Sequence, residues 1–192
     1  MTRNIAKFCW TVVFILFAVL DNVKSEENIK LNPKTKFFEV ILDRVEVLYE
    51  DPKFFETHLR VKKVNKTRTL VGYADIRQAI GNDCDAELKT LKKQGGEYRY
   101  SPYKVSAIPL CEGLASDTYV YPEFAANSDF PLDIANNCPI PAGNYSMRGI
   151  SFTLENVPTN VAQTGEYGCE LIFSKNNETI AMYRIYGYVN FV

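Results

Sequence analysis

Apolar and polar residues alternate with a period of two along most of this chain, the spacing of half-buried strands rather than helices. In FFETHLRVKKV, Phe55, Leu59 and Val61 share one face while Glu56, His58, Arg60 and Lys62 share the other. In CELIF, Cys169, Leu171 and Phe173 alternate with Glu170 and Ser174, and in AMYRIYGYVNF, Ala181, Tyr183, Ile185, Val189 and Phe191 fall on one side. The polar run Lys175-Asn176-Asn177-Glu178 lies between these two, so residues 168–190 read as a hairpin. FFEVILDRVEVLY starts with Phe38, Val40 and Leu42 in phase and resumes with Val45 and Val47 out of phase, which predicts a bulge near Asp43-Arg44.

CDAELKTL has a composition that also suits a helix, but Gly95-Gly96 and the strand-like EYRYSPYKV follow it closely, which favours a strand. Strand alternation is missing from LASDTYVYPEFAAN, after Cys111, where Pro122 suits the opening of a second short helical turn. The pattern predicts an all-β domain of seven or eight strands with one short helical insert, arranged as a two-sheet antiparallel sandwich or cup. No internal repeat, low-complexity tract or linker interrupts it.

Residues 1–25 stand apart. Arg3 and Lys7 precede a 13-residue apolar run, Phe8–Leu20, and Val23 and Ser25 occupy the −3 and −1 positions of a cleavage site. This is the layout of a secretory signal peptide; a membrane-spanning helix needs about 20 apolar residues. Residues 26–192 then form a single soluble, extracellular domain with room for a sizeable core. Loss of Arg3, Lys7, Lys24 and Asp21 with the signal takes the formal charge from −1 to −3, and nothing in that balance favours nucleic acid. Cys9 leaves too, so Cys84, Cys111, Cys138 and Cys169 remain, an even count that reads as two disulfides with three possible connectivities. Sequons at Asn65, Asn144 and Asn177 mark surface positions for glycosylation.

Signatures of catalysis are missing. His58 is the one histidine and sits on the polar face of its strand, the usual place for a bystander. No G-x-S-x-G elbow, H-E-x-x-H zinc motif or closely spaced cysteine pair is present, and Asp83 and Asp85 around Cys84 read as a turn or solvated edge. We therefore expect no enzyme, no cofactor and no metal. Ten of the twelve tyrosines follow residue 97; they suit β strands and also an amphipathic wall, apolar in body and hydrogen-bonding at the rim.

CPIPAGNYSM, SFTLENVP, TGEYGCELIF and RIYGYVNF, in that order, carry a family resemblance. Cys138, Pro139, Gly143, Tyr145, Ser146, Phe152, Pro158, Thr164, Gly165 and Tyr167 match the C-terminal pattern of the ganglioside-activator family. Leu110-Cys111 and Asn137-Cys138-Pro139 frame the helix-bearing segment as in the insect chemosensory CheA and CheB proteins, so the chain resembles the ganglioside-activator-like branch of the broad ML lipid-recognition group. The close match covers about a third of residues 26–192. It implies a β cup whose sheets stay apart around an apolar cavity, and a Cys111–Cys138 disulfide anchoring a flap beside the cavity mouth; Cys84–Cys169 is then the remaining pair. The family has no cysteine at Cys169, and where it carries bulky apolar residues before Thr-Gly-x-Tyr this chain has VPTNVAQ, with Val157 and Val161 alone. That loop suits carriage of a free hydrophobic ligand better than extraction of membrane lipid.

The expectation is a secreted, non-enzymatic carrier for a lipid or lipid-like semiochemical of pheromone type. Burial drives binding at about 25 cal/mol per Å² of apolar surface, and delivery is to a chemosensory receptor or a membrane surface. Strand alternation nominates Leu42, Leu59, Leu88, Tyr98, Tyr100, Phe124, Phe152, Phe173 and Ile185 as lining residues. The alternative is an extracellular interaction module, or a lipid-presenting activator of a partner receptor or enzyme, that uses the sandwich as scaffold.

Overall fold

The computed structural model describes residues 36–117, 120–157 and 164–191. The signal segment, the VPTNVAQ loop beyond Val157 and Cys9 lie outside these residues. The elements in chain order are β1 (Lys36–Glu50), β2 (Phe55–Val64), β3 (Thr67–Ile76), β4 (Cys84–Gln94), β5 (Glu97–Pro109), α1 (Leu110–Ser116), α2 (Val120–Ala126), β6 (Gly143–Ile150), β7 (Phe152–Val157), β8 (Gly165–Lys175) and β9 (Glu178–Phe191). A six-stranded sheet runs β5-β4-β8-β9-β1-β7 and a three-stranded sheet runs β2-β3-β6, with antiparallel pairing throughout. The protein is thus a two-sheet antiparallel β sandwich, with nine strands among the described residues where the pattern predicted seven or eight.

Tight turns set the registers. Asn65-Lys66, Gly95-Gly96 and Asn176-Asn177 all have positive φ, the geometry that two-residue hairpin loops require and that Asn and Gly adopt most readily. The predicted bulge in β1 falls between Leu42 and Arg44, and a second lies between Val47 and Tyr49. Gly72 is required by close approach: at φ +138° a Cβ there would stand 1.9 Å from the His58 carbonyl oxygen on β2.

The registers also give the sandwich two different ends. The chain turns from β1 to β2, from β3 to β4 and from β8 to β9 at one end, and β5 finishes there with Pro109 opposite Asp85. β6 starts there, with Gly143 opposite Ile76. The insert between β5 and β6 must therefore sit at that end. The β2–β3 and β4–β5 turns and the end of β7 lie at the other.

The helix-bearing end is closed. Phe55, Ile76, Ile80, Cys84, Leu110, Cys111, Tyr121, Ala125, Ile134, Ile140 and Ala181 form one buried cluster. Cys111 and Cys138 are bonded, with their Cα atoms 6.2 Å apart, which ties α1 to the chain beyond α2. Ile140 exchanges backbone hydrogen bonds with Ile80 at 2.8 and 3.0 Å, and Gly81 leaves room for Pro139, whose Cβ would be 2.9 Å from an added methyl. The insert holds two short helices, the second with Pro122 in its first turn as the sequence predicted. Asp117 accepts the backbone N–H groups of Val120 and Tyr121, both at 3.0 Å, satisfying donors that open α2. The stapled segment thus plugs the sandwich; it does not border an opening, as the resemblance implied.

The second predicted disulfide is absent. Cys84 lies opposite Lys175 while Cys169 lies opposite Thr90, six residues further along β4, roughly 20 Å at strand rise. Bridged cysteines need Cα atoms within about 7 Å. Both are buried free thiols, and burial pushes Cys84 up to about 11 and Cys169 up to about 12.

Candidate functional site

Cross-strand pairing sorts the side chains of the six-stranded sheet onto two faces. Thr90, Cys169, Ile185 and Val45 form one continuous row, and Val45 and Ile185 pack with Leu42, Leu70, Ala74, Met147 and Ile150 between the sheets. This row is therefore inward. The same face carries Leu88, Leu171 and Tyr183 in the row nearer the closed end, and Tyr167 and Leu42 in the row beyond.

Four of the nine predicted lining residues meet in one place. Leu42, Leu59, Phe124 and Ile185 all belong to the apolar cluster between the sheets. Phe173 lies at the closed end, 6.0 Å from Phe55 and 6.1 Å from Tyr183 by ring centroids. Leu88 is inward and fully buried. Phe152 pairs with Val40 across β7 and β1, and its side chain is outside the described part.

Tyr98 and Tyr100 are on the wrong face. Tyr100 pairs with Leu91 and Tyr98 with Lys93, both outward positions, and the register of β4 and β5 shifts twice along their length. A tyrosine ring suits either face when its hydroxyl finds a partner, and here both partners are outside. Tyr98 donates to Glu166 at 3.2 Å and Tyr100 to Glu170 at 2.9 Å.

These two tyrosines belong to an outer cluster that alternation alone did not reveal. The Arg44 guanidinium sits 3.7 Å over the Tyr186 ring, and Tyr186 meets Tyr98 edge-on at 4.6 Å. Gly168 makes room, since an added Cβ would stand 3.2 Å from the Tyr186 ring. Arg184 donates to Glu170, which is only 3 % exposed, and Lys93 pairs with Glu166 at 2.7 Å. Hydrogen bonding from Arg44 holds the Glu46 carboxyl below its ordinary value, and Lys93 does the same for Glu166. Tyr100, Tyr188 and Tyr49 remain 58 %, 41 % and 48 % exposed on this side.

Among the described residues, little reactive chemistry is assembled. His58 is exposed, 3.5 Å from Glu56 and 4.8 Å from the Tyr73 ring. Asp83 pairs with Lys175 at 2.7 Å and accepts the Gly81 N–H, so it is a turn residue held below its ordinary value by the lysine. Inside, Tyr183 donates to Glu50 at 2.7 Å, and Glu50 also receives the Thr57 hydroxyl. Burial raises the Tyr183 hydroxyl far above its ordinary value, as suits a structural bond. Asn65, Asn144 and Asn177 are all exposed, two in hairpin turns and one on the edge strand β6.

No described helix is long and apolar enough to cross a membrane. No curated protein matches the chain. Residues 86–169, from β4 through the helix-bearing insert into β8, match the family described as a protein of unknown function, DUF1091.

Proposed function

We propose that the protein is a secreted, non-enzymatic carrier that holds a lipid or lipid-like semiochemical between its sheets, in the manner of the insect chemosensory CheA and CheB proteins and their ganglioside-activator-like relatives. Residues 1–25 serve as its export signal. The observation that carries the reading is a mismatch in width. Six strands face three, and at about 4.8 Å per strand the larger sheet is some 14 Å wider. The smaller sheet packs its apolar face against Leu42, Val45 and Ile185, on β1 and β9. The inner face continues beyond these onto β8 and β4 with Leu171, Cys169, Tyr167, Leu88 and Thr90. The insert plugs one end of the sandwich, so a ligand enters from the end with the β2–β3 and β4–β5 turns and displaces the packing that buries Leu88, Thr90 and Cys169. Apolar burial supplies the affinity, and a receptor or membrane surface is the destination.

Uptake of a fluorescent polyene fatty acid by the folded secreted protein, with displacement by a long-chain hydrocarbon, tests the reading. We expect saturable uptake of one probe per chain. A folded protein that takes up none would overturn it.

The outer tyrosine–arginine cluster favours a second reading, the extracellular interaction module. Tyr and Arg are the residues that most often anchor protein interfaces, and Tyr100 and Tyr188 stand exposed beside Arg44 and Arg184. If this face is the working surface, Tyr100→Ala with Tyr188→Ala abolishes capture of an extracellular partner and leaves probe uptake unchanged.

A further inference from the structure

The inward face of the three-stranded sheet ends in two cations. Its rungs run Phe55 opposite Ile76, Thr57 opposite Ala74, Leu59 opposite Gly72, Val61 opposite Leu70 and, last before the turn, Lys63 opposite Arg68. Leu59, Val61, Leu70 and Ala74 all pack between the sheets, so strand alternation sets Lys63 and Arg68 on the same face, at the end of the sandwich away from the insert. Like charges placed directly opposite each other destabilise a strand pair. Arg68 is partly compensated, since it donates to the Asp43 carboxylate at 3.1 Å and to the Asp43 carbonyl. Among the described residues, Lys63 and Lys66 make no ion pair. A solvent-open pocket of about 190 Å³ lies here, between residues 39–41 of β1 and Lys63, Lys66, Thr67 and Arg68. Among the described residues, Glu39 is the one acidic side chain lining it.

We infer that this pocket takes the carboxylate or phosphate group of the ligand, so that the cargo is an anionic amphiphile rather than a neutral hydrocarbon. The inference rests on the carrier reading. Lys63 and Lys66 supply unpaired charge, Arg68 stays oriented by Asp43, and the ligand's apolar part continues inward past Val61 and Leu70. An inward lysine near the end of an edge strand also discourages sheet-to-sheet pairing, and that role alone predicts no preference for charged ligand.

The test compares oleate with methyl oleate, by competition against a fluorescent probe, on the full secreted protein. Two charge-assisted contacts predict that oleate binds on the order of tenfold more tightly. This ratio falls towards one in Lys63→Gln and in the Lys63→Gln, Lys66→Gln double variant, and it persists in Lys104→Gln, a surface control on β5. Circular dichroism and thermal melts confirm that each variant is folded. Equal affinity for the two ligands in the unaltered protein overturns the inference and leaves the carrier intact, as does a ratio that survives in the double variant. Binding of neither ligand overturns both. Saturable binding of inorganic phosphate without either lipid makes the pocket a free-anion site and overturns the headgroup assignment. Sedimentation with phosphatidylserine vesicles that Lys63→Gln abolishes, with no difference between oleate and its ester, points to a membrane surface and also overturns it.

Discussion

Single residues decide two points that alternation leaves open. Cys84 and Cys169 alternate inward like any apolar residue, and only the register of β4 against β8 shows that they are too far apart to bond. Residues 26–192 should accordingly release two titratable thiols when unfolded without reductant, and almost none while folded at neutral pH, because burial raises both thiols. An unfolded chain with no free thiol would contradict the register. Gly72 and Gly95 both have positive φ, but only Gly72 is pressed against a neighbouring backbone. Gly72→Ala should therefore cost several kcal/mol in denaturant unfolding, against about 1 kcal/mol for Gly95→Ala in its open turn.

At the scale of elements, the disulfide closes a loop of 27 residues around α1 and α2. Replacing Cys111 and Cys138 with alanine should cost about 3–4 kcal/mol and loosen the closed end first, as faster amide exchange at Ile80 and Ile140. On the outer face, Arg184→Met leaves the buried Glu170 carboxylate with Tyr100 alone and should cost about 3 kcal/mol. The double change Glu170→Met, Arg184→Met should cost less than that, because no charge is then stranded. The hairpins were legible in the chain because Gly95-Gly96 and Asn176-Asn177 carry turn chemistry within a few residues. The β1 bulge was legible because apolar phase breaks at Asp43-Arg44. The face of β5 was not, since a register shift separates Tyr98 and Tyr100 from Val105, where the strand packs inward. Nor could local pattern show which end the insert occupies, which depends on the pairing of β5 with β4 and of β6 with β3. The Lys63–Arg68 rung was implicit in the series Phe55, Leu59, Val61, whose next inward place is a lysine.

For the whole molecule, acid should weaken the fold. Asp83, Glu46, Asp129 and Glu166 are each held below the ordinary carboxylate value by hydrogen bonds from Lys175, Arg44, Arg148 and Lys93. A carboxyl whose folded pKa is depressed stabilises the fold above its unfolded value and loses that contribution as pH falls through the folded one. Thermal stability should therefore decline from about pH 4 downward, and less steeply in high salt, which screens these exposed pairs. The proposed carrier rests on the six-on-three arrangement, plugged at one end by the insert. Native mass spectrometry of the enzymatically deglycosylated secreted protein, before and after organic extraction, tests that most directly. The account predicts a bound apolar mass that leaves with extraction and returns when an acidic lipid is added. A protein that is empty as secreted, and that remains empty with lipid in excess, would contradict it.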